Sequence, residues 1–261
     1  MPRLAANVSY LFTDRPLLDR FAAAAAAGFP AVELQYPYDQ DPAAMRAAIT
    51  RHGLTMLGVN TPPLPDAPSG LAGVPGREQE FVTLFDRALA LATVIGARAI
   101  HCLAGVPPAG RRDEAEAVFV TNLRHAADRA APHGITILIE PLNTVDRPGY
   151  LLTRAEQAAV ILGRVERANV KMQFDVYHQQ IMGGDLTRRI ERHLPLIGHV
   201  QVAAVPSRAE PDEGEVNCPA VLAALDRLGY AGFVGCEYVP RGRTEDGLVW
   251  ARPFGIGAAA S

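Results

Sequence analysis

Short apolar runs alternate with longer amphipathic runs eight times along this chain. The strand-like runs fall near 4–10, 31–37, 55–61, 98–105, 135–143, 170–178, 197–205 and 232–240. Helix-like runs follow them, near 15–27, 42–52, 77–96, 113–132, 154–168, 186–193, 217–228 and 244–252. Such alternation implies parallel strands, because each helix carries the chain back to the edge where the next strand begins. Eight units in 261 residues match the roughly 250 residues of a closed barrel and leave no length for a second domain. The expected fold class is α/β: a (β/α)8 TIM barrel, a single domain over residues 1–254, with residues 255–261 as a frayed tail. The alternative is an open doubly wound sheet. It would carry a glycine-rich phosphate turn after its first strand, and Asn7-Val8-Ser9 stands there instead.

Local signals punctuate the pattern. Thr13-Asp14 with Pro16, and Asp41-Pro42, read as helix starts; Gly28, Gly53, Gly96, Gly134 and Gly229 read as left-handed helix stops. The proline-rich stretch 61–75 is the longest loop after a strand, and a lid, an oligomer contact or a plain irregular loop all fit it. A net charge of −3 gives no basic footprint, so no nucleic acid partner is expected. No apolar run approaches the ~18 residues of a membrane span, and MPRLAANVSYLF reads as a first strand rather than a secretion signal. No membrane partner is expected either. Cys102, Cys218 and Cys236 are odd in number and lack C-x-x-C spacing, which points to reduced thiols and a cytoplasmic protein. Exposed helix faces and the proline-rich loop leave room for a homodimer or homotetramer.

Four of the late strands end on an oxygen side chain suited to a metal: TILIEPLN (Glu140), VKMQFDVYH (Asp175), IGHVQVAAV (Gln201) and GFVGCEYVP (Glu237). In a barrel, residues at i and i+2 share the inward face. Leu138, Gln173, His199 and Gly235 therefore lie beneath the four, which form the upper layer where barrel active sites are built. Carboxylates converging on one cavity repel unless a cation joins them. An oxygen-only set suits Mg²⁺ or Mn²⁺ better than zinc. Glu33 and His101 are expected to face the same cavity and to hold substrate, Asp146 to accept a substrate hydroxyl or cap the next helix, and Arg208 to clamp a substrate carboxylate. His199 reads as a satisfied core histidine, Lys171 as a floor residue, and Cys236 as a packing residue on the opposite strand face from Glu237.

The order E-P-x-N after strand five, D-x-x-H on strand six, H-x-Q on strand seven and G-C-E-Y on strand eight resembles the hydroxypyruvate isomerase family of xylose isomerase-like barrels. The resemblance covers nearly the whole chain. It includes AANVSYLF, Val74-Pro75-Gly76-Arg77, and the stretch from Arg208-Ala209-Glu210-Pro211 to Gly214-Glu215. One departure is the loop TPPLPDAPSGLAGV, shorter and richer in proline than the family's usual version. The resemblance implies that Glu140 and Glu237 are the catalytic pair as well as metal ligands, and that His178 meets a substrate oxygen.

The implied function is metal-dependent interconversion of hydroxypyruvate and tartronate semialdehyde by proton transfer through an enediolate, so the expected partner is a small hydroxy-keto acid. The alternatives are 2-oxo-tetronate isomerisation and ketose 3-epimerisation. Gln201 counts against the epimerase, since that group usually carries histidine there. From other classes come a dehydratase and a barrel that binds without turnover.

Overall fold

The computed structural model describes residues 1–257. Its strands are β1 (Arg3–Asn7), β2 (Ala31–Glu33), β3 (Thr55–Met56), β4 (Gly58–Asn60), β5 (Ala99–His101), β6 (Thr136–Ile139), β7 (Val170–Asp175), β8 (Ile197–Val202) and β9 (Phe233–Cys236). All pair in parallel, and β1 pairs with both β2 and β9, so the first and last strands become neighbours. The expected third strand is split at Leu57. Its N–H still donates to the Val32 carbonyl (2.8 Å) and its carbonyl accepts from Arg98 N–H (3.1 Å), so β3 and β4 act as one strand bridging both neighbours. The ring of eight expected strands is closed in this way.

The helices are α1 (Leu17–Ala26), α2 (Pro42–Arg51), α3 (Glu78–Ile95), α4 (Arg112–Ala130), α5 (Ala155–Val165), α6 (Val176–Met182), α7 (Leu186–His193), α8 (Cys218–Arg227) and α9 (Thr244–Gly247). They bury one apolar face against the outside of the barrel, through Phe21, Met45, Phe85, Phe119, Ile161 and Leu225 among others. Inside the barrel the floor is a small separate apolar cluster of Ala5, Ala31 and Phe233, with Leu57 packed against them. Barrel interiors are ordinarily filled by bulky branched side chains. Here a cavity of about 350 Å³ remains, lined by polar groups that include Glu33, His101, Gln173, His199, Gln201 and Glu237.

Several local expectations hold and some do not. Asp41 caps α2 by accepting Ala43 N–H (2.9 Å), and all five stop glycines have positive φ, from 64° to 94°. Asp14 does not cap α1: it pairs with Arg15 (2.9 Å), and Pro16 occupies the cap position. A short extra helix, α6, follows β7, and the eighth helix is a single turn continued by a 3₁₀ segment, Leu248–Phe254. The tail expected to fray from Gly255 is packed as far as Gly257, because Ile256 is buried and Gly257 N–H donates to the Ala27 carbonyl (2.8 Å). Residues 258–261 of that tail lie outside the described residues. No helix among the described residues is long and apolar enough to cross a membrane. The three cysteines are unpaired and buried.

The proline-rich loop is pinned rather than free. Ala72 N–H and Gly73 N–H donate to the carbonyls of Leu103 (3.1 Å) and Ala104 (2.7 Å), and Asn122 Nδ2 holds the Ala72 carbonyl (2.9 Å). Gly70, at φ +89°, lies so close to Leu103 that a Cβ would overlap its side chain. Gly76 has nearly the same φ, +88°, with nothing within 4 Å of a built Cβ. Gly70→Ala should therefore lose about 2 kcal/mol or more from combined strain and overpacking, and Gly76→Ala only about 1 kcal/mol from strain. Urea unfolding midpoints of the two variants check the difference; equal losses would mean that the loop is not pinned at Gly70.

Candidate active site

Strand ends deliver the polar groups to one place. Asn7, Glu33 and His101 are the last residues of β1, β2 and β5; Glu140 and Glu237 follow β6 and β9 directly. Gln201 lies within β8. Asp175 both ends β7 and caps α6, with Oδ1 accepting Tyr177 N–H (2.9 Å). Strand alternation sets Gln173 and His199 in the same lining, as expected from their i−2 positions. All of these side chains are buried.

Amide side chains separate the carboxylates. Gln173 Nε2 donates to Glu140 Oε2 (2.9 Å) and to Gln201 Oε1 (2.7 Å). Gln201 Nε2 donates to Glu33 Oε1 (2.6 Å) and to Glu237 Oε2. Asn7 Nδ2 reaches Glu33 Oε1 (3.0 Å) and Glu237 Oε2 (3.1 Å). Gln35 Nε2 (3.1 Å) and Arg208 Nη2 (3.0 Å) cover Glu237 Oε1. Glu140, Gln201 and Glu237 thus border one space through shared donors. Asn7, Gln35 and Gln173 have no role in the sequence reading; the signal available for Asn7 and Gln173 was a polar residue at an inward strand position.

Two expected substrate contacts are otherwise engaged. Both oxygens of Glu33 already have protein partners, Oε1 accepting from Asn7 and Gln201 and Oε2 meeting His199 Nε2 (2.5 Å). His199 is satisfied by that same contact. Asp146 does not cap α5, whose N-cap is Arg154. Its Oδ2 accepts from Asn143 Nδ2 (2.9 Å) and Tyr177 OH (3.0 Å) and lies 3.9 Å from Arg208 Nη1. Arg208 stacks over the Tyr177 ring (4.8 Å) as well as binding Glu237, and its Nε is buried without a partner. His101 faces the cavity with both ring nitrogens unpartnered and Nδ1 3.5 Å from Glu140 Oε2. Lys171 lies at the floor, donating to the Pro195 carbonyl (3.1 Å).

The electrostatics follow from burial. It pushes Glu237 up to about 8 and Asp175 up to about 6. Burial, reinforced by the Glu237 and Asp175 charges, carries Glu140 well above the usual carboxylate range. Burial would raise Glu33 too, but the adjacent His199 charge and hydrogen bonds from His199, Gln201 and Asn7 bring it below its ordinary value. His101 is pushed down to about 3 by burial. His178 is pushed well down by burial and then by Arg208 and Arg147, so both rings are neutral.

The donor set fits a hard divalent cation. Glu140 Oε1 and Asp175 Oδ2 are buried with no hydrogen-bond partner. One oxygen of each residue and one nitrogen of His178 lie within 4.8 Å of one another, and His178 Nε2 is 4.0 Å from Glu140 Oε1 and 3.6 Å from Asp175 Oδ2. Orphaned, desolvated carboxylate oxygens of this kind are costly unless a cation takes them. His178 contributes differently. Its Nδ1 accepts Asn143 N–H (3.2 Å), which leaves the proton of the neutral ring on Nε2, 3.6 Å from Asp175 Oδ2. The ring therefore presents a donor, not a lone pair, to the site.

A pH dependence follows for metal-stripped protein. Between about pH 6.5 and 8 His101 and His178 are neutral in the folded state, while unfolded histidines give up their remaining protons, a smaller contribution of opposite sign to that of the carboxyls. Glu237 still binds its proton in the folded state there, and Glu140 is shifted in the same direction, while unfolded glutamates have lost theirs near 4.5. Folded protein binds more protons, so stability falls as pH rises from 6.5 to 8, by about 1 kcal/mol or more. Added Mn²⁺ should abolish the fall. Urea midpoints at the two pH values, in EDTA and in Mn²⁺, test this; a stripped protein equally stable at both would refute it.

Comparison with known proteins agrees with the geometry. The family described as xylose isomerase-like TIM barrel matches residues 21–254. A 2-oxo-tetronate isomerase of Cupriavidus necator is 47% identical over 97% of this chain and 99% of its own. The hydroxypyruvate isomerase of Escherichia coli is 39% identical over 97% of this chain and 100% of its own. A crystal structure described as an AP endonuclease, family 2, from Brucella melitensis superimposes with a TM-score of 0.94 at 47% identity, covering 97% of this chain and 99% of that one. The chain belongs to the xylose isomerase-like TIM-barrel family.

Proposed function

We propose that this protein is a divalent-cation-dependent isomerase of a short hydroxy-keto acid, moving a proton between adjacent carbons through an enediolate. The observation that carries the reading is the pair of buried, unpartnered oxygens on Glu140 and Asp175, with Glu140 joined to Gln201 through Gln173 and Gln201 donating to Glu237. Glu140, Asp175, Gln201 and Glu237 would hold the ion, and an all-oxygen set favours Mg²⁺ or Mn²⁺. When bound, such an ion supplies charge that polarises a carbonyl and stabilises enediolate oxygens.

The chain's own residues supply the rest. Glu140 and Glu237 carry the proton, one taking it from carbon and the other returning it. Burial already sets both carboxyls toward the range where a carboxyl can act as acid and base near neutral pH. His178 Nε2–H and the unpartnered nitrogens of His101 orient substrate oxygens. The free Nε of Arg208 is suited to the substrate carboxylate while its Nη2 holds Glu237.

The four-carbon acid is the first reading of the substrate, since a relative named 2-oxo-tetronate isomerase is 47% identical, against 39–45% for those named hydroxypyruvate isomerase or putative hydroxypyruvate isomerase. Hydroxypyruvate is the second reading, favoured by the EPLN and FDVYH segments. Proton NMR in D₂O with Mn²⁺-loaded protein should show 2-oxo-tetronate converting with deuterium entering at the carbon that gains the proton. Elimination of water, or no cation-dependent turnover of either acid, would sink the proposal. Glu140→Gln and Glu237→Gln should each lower kcat at least about 10²–10⁴-fold. Full activity in either variant would remove that residue from the pair.

A further inference from the structure

Gln201 is the one neutral side chain in the proposed cation-binding set, and its amide has two unlike ends. Only Oε1 offers a lone pair; a reversed amide would turn N–H donors toward the cation. Gln173 Nε2 donates to Oε1 (2.7 Å) and Glu237 Oε2 accepts from Nε2, and the same direction is enforced from beneath the site. Glu33 presents acceptor oxygens to donors alone: Gln201 Nε2 (2.6 Å) and Asn7 Nδ2 (3.0 Å) on Oε1, and His199 Nε2 (2.5 Å) on Oε2. Asn7 cannot reverse, because its Oδ1 is held by Ser9 N–H (3.1 Å). Reversing Gln201 would bring its oxygen against a carboxylate oxygen at hydrogen-bond distance, among buried side chains with no solvent to separate them. Gly235 supplies the room for this arrangement, since a Cβ there would lie 2.5 Å from Glu33 Oε1.

We infer that Glu33 is a positioning residue: gripped by Asn7 and His199, its carboxylate holds the Gln201 amide with Oε1 turned away from it, toward Gln173 and the Glu140 side of the proposed cation site. Glu33 itself touches neither cation nor substrate. The role rests on the cation-dependent reading above and deepens it, because it explains how a neutral amide becomes a dependable ligand among carboxylates. An amide at position 33 would lose this control, since it can donate as readily as accept.

Mn²⁺ binding measured by isothermal titration calorimetry tests the inference apart from turnover. Glu33→Gln should weaken Mn²⁺ about 10–100-fold while leaving the circular-dichroism melt close to that of the unaltered chain. Glu33→Gln combined with Gln201→Glu should recover most of the affinity, because the new amide at 33 then donates to the new carboxylate at 201. Gly235→Ala, which displaces the Glu33 carboxylate without removing any polar group, should reproduce the loss if the first variant folds poorly. Unchanged Mn²⁺ affinity in Glu33→Gln, or a double variant as weak as the single one, overturns the positioning role. An unaltered chain that binds no Mn²⁺ overturns the cation-dependent reading along with it.

Discussion

Four carboxylates, Glu33, Glu140, Asp175 and Glu237, are buried at the C-terminal ends of the barrel strands, and the arrangement around them answers their mutual repulsion. The answers differ from residue to residue. Glu33 has His199 at 2.5 Å and two amide donors, and is held ionised. Glu237 has Arg208, Gln35, Asn7 and Gln201 around it and is still pushed up by burial. Glu140 and Asp175 each keep one oxygen with no partner at all. The set therefore divides into one satisfied anion and three groups that still call for a proton or a cation. That asymmetry sets Glu33 apart from the other three.

Much of the fold was legible because barrel geometry is written in local periodicity. Eight strand–helix alternations specify a closed parallel ring, and the i, i+2 rule put Gln173 and His199 beneath Asp175 and Gln201 in the cavity lining where they are found. The strand-end oxygens stood out for the same reason. The misses have a physical pattern too. Helix α6 exists because Asp175 caps it, a second use of a side chain read only as a ligand. Leu57 splits a strand without breaking either pairing, which periodicity does not register.

The hydrogen-bond partners of the site were less legible, because closure joins residues at opposite ends of the chain. Asn7 meets Glu237 across 230 positions, and Gln35 meets it across 202. No spacing rule connects such pairs. The loops add a second difficulty. Arg208 sits at φ 55°, an uncommon conformation for a non-glycine residue, with its N–H on the Ala204 carbonyl and its own carbonyl accepting Val239 N–H. Its side chain is aimed by those two contacts and by Tyr177, none of which can be inferred from an arginine lying beyond strand β8.

What the structure adds most is orientation, and it does so by one repeated device. A backbone N–H fixes one end of a two-ended side chain, and the role of the other end follows. Ser9 N–H takes Asn7 Oδ1 and turns its amide donor onto Glu33 and Glu237. Tyr177 N–H takes Asp175 Oδ1 and leaves Oδ2 bare in the pocket. Asn143 N–H takes His178 Nδ1 and makes Nε2 a donor. That last contact separates two readings that position alone leaves equal. Glu140, Asp175 and His178 cluster closely enough to form a three-residue metal site, yet a protonated Nε2 has no lone pair to give. On the proposed function, the histidine then serves an oxygen acceptor on the substrate, and the oxygens of Glu140, Asp175, Gln201 and Glu237 serve the cation.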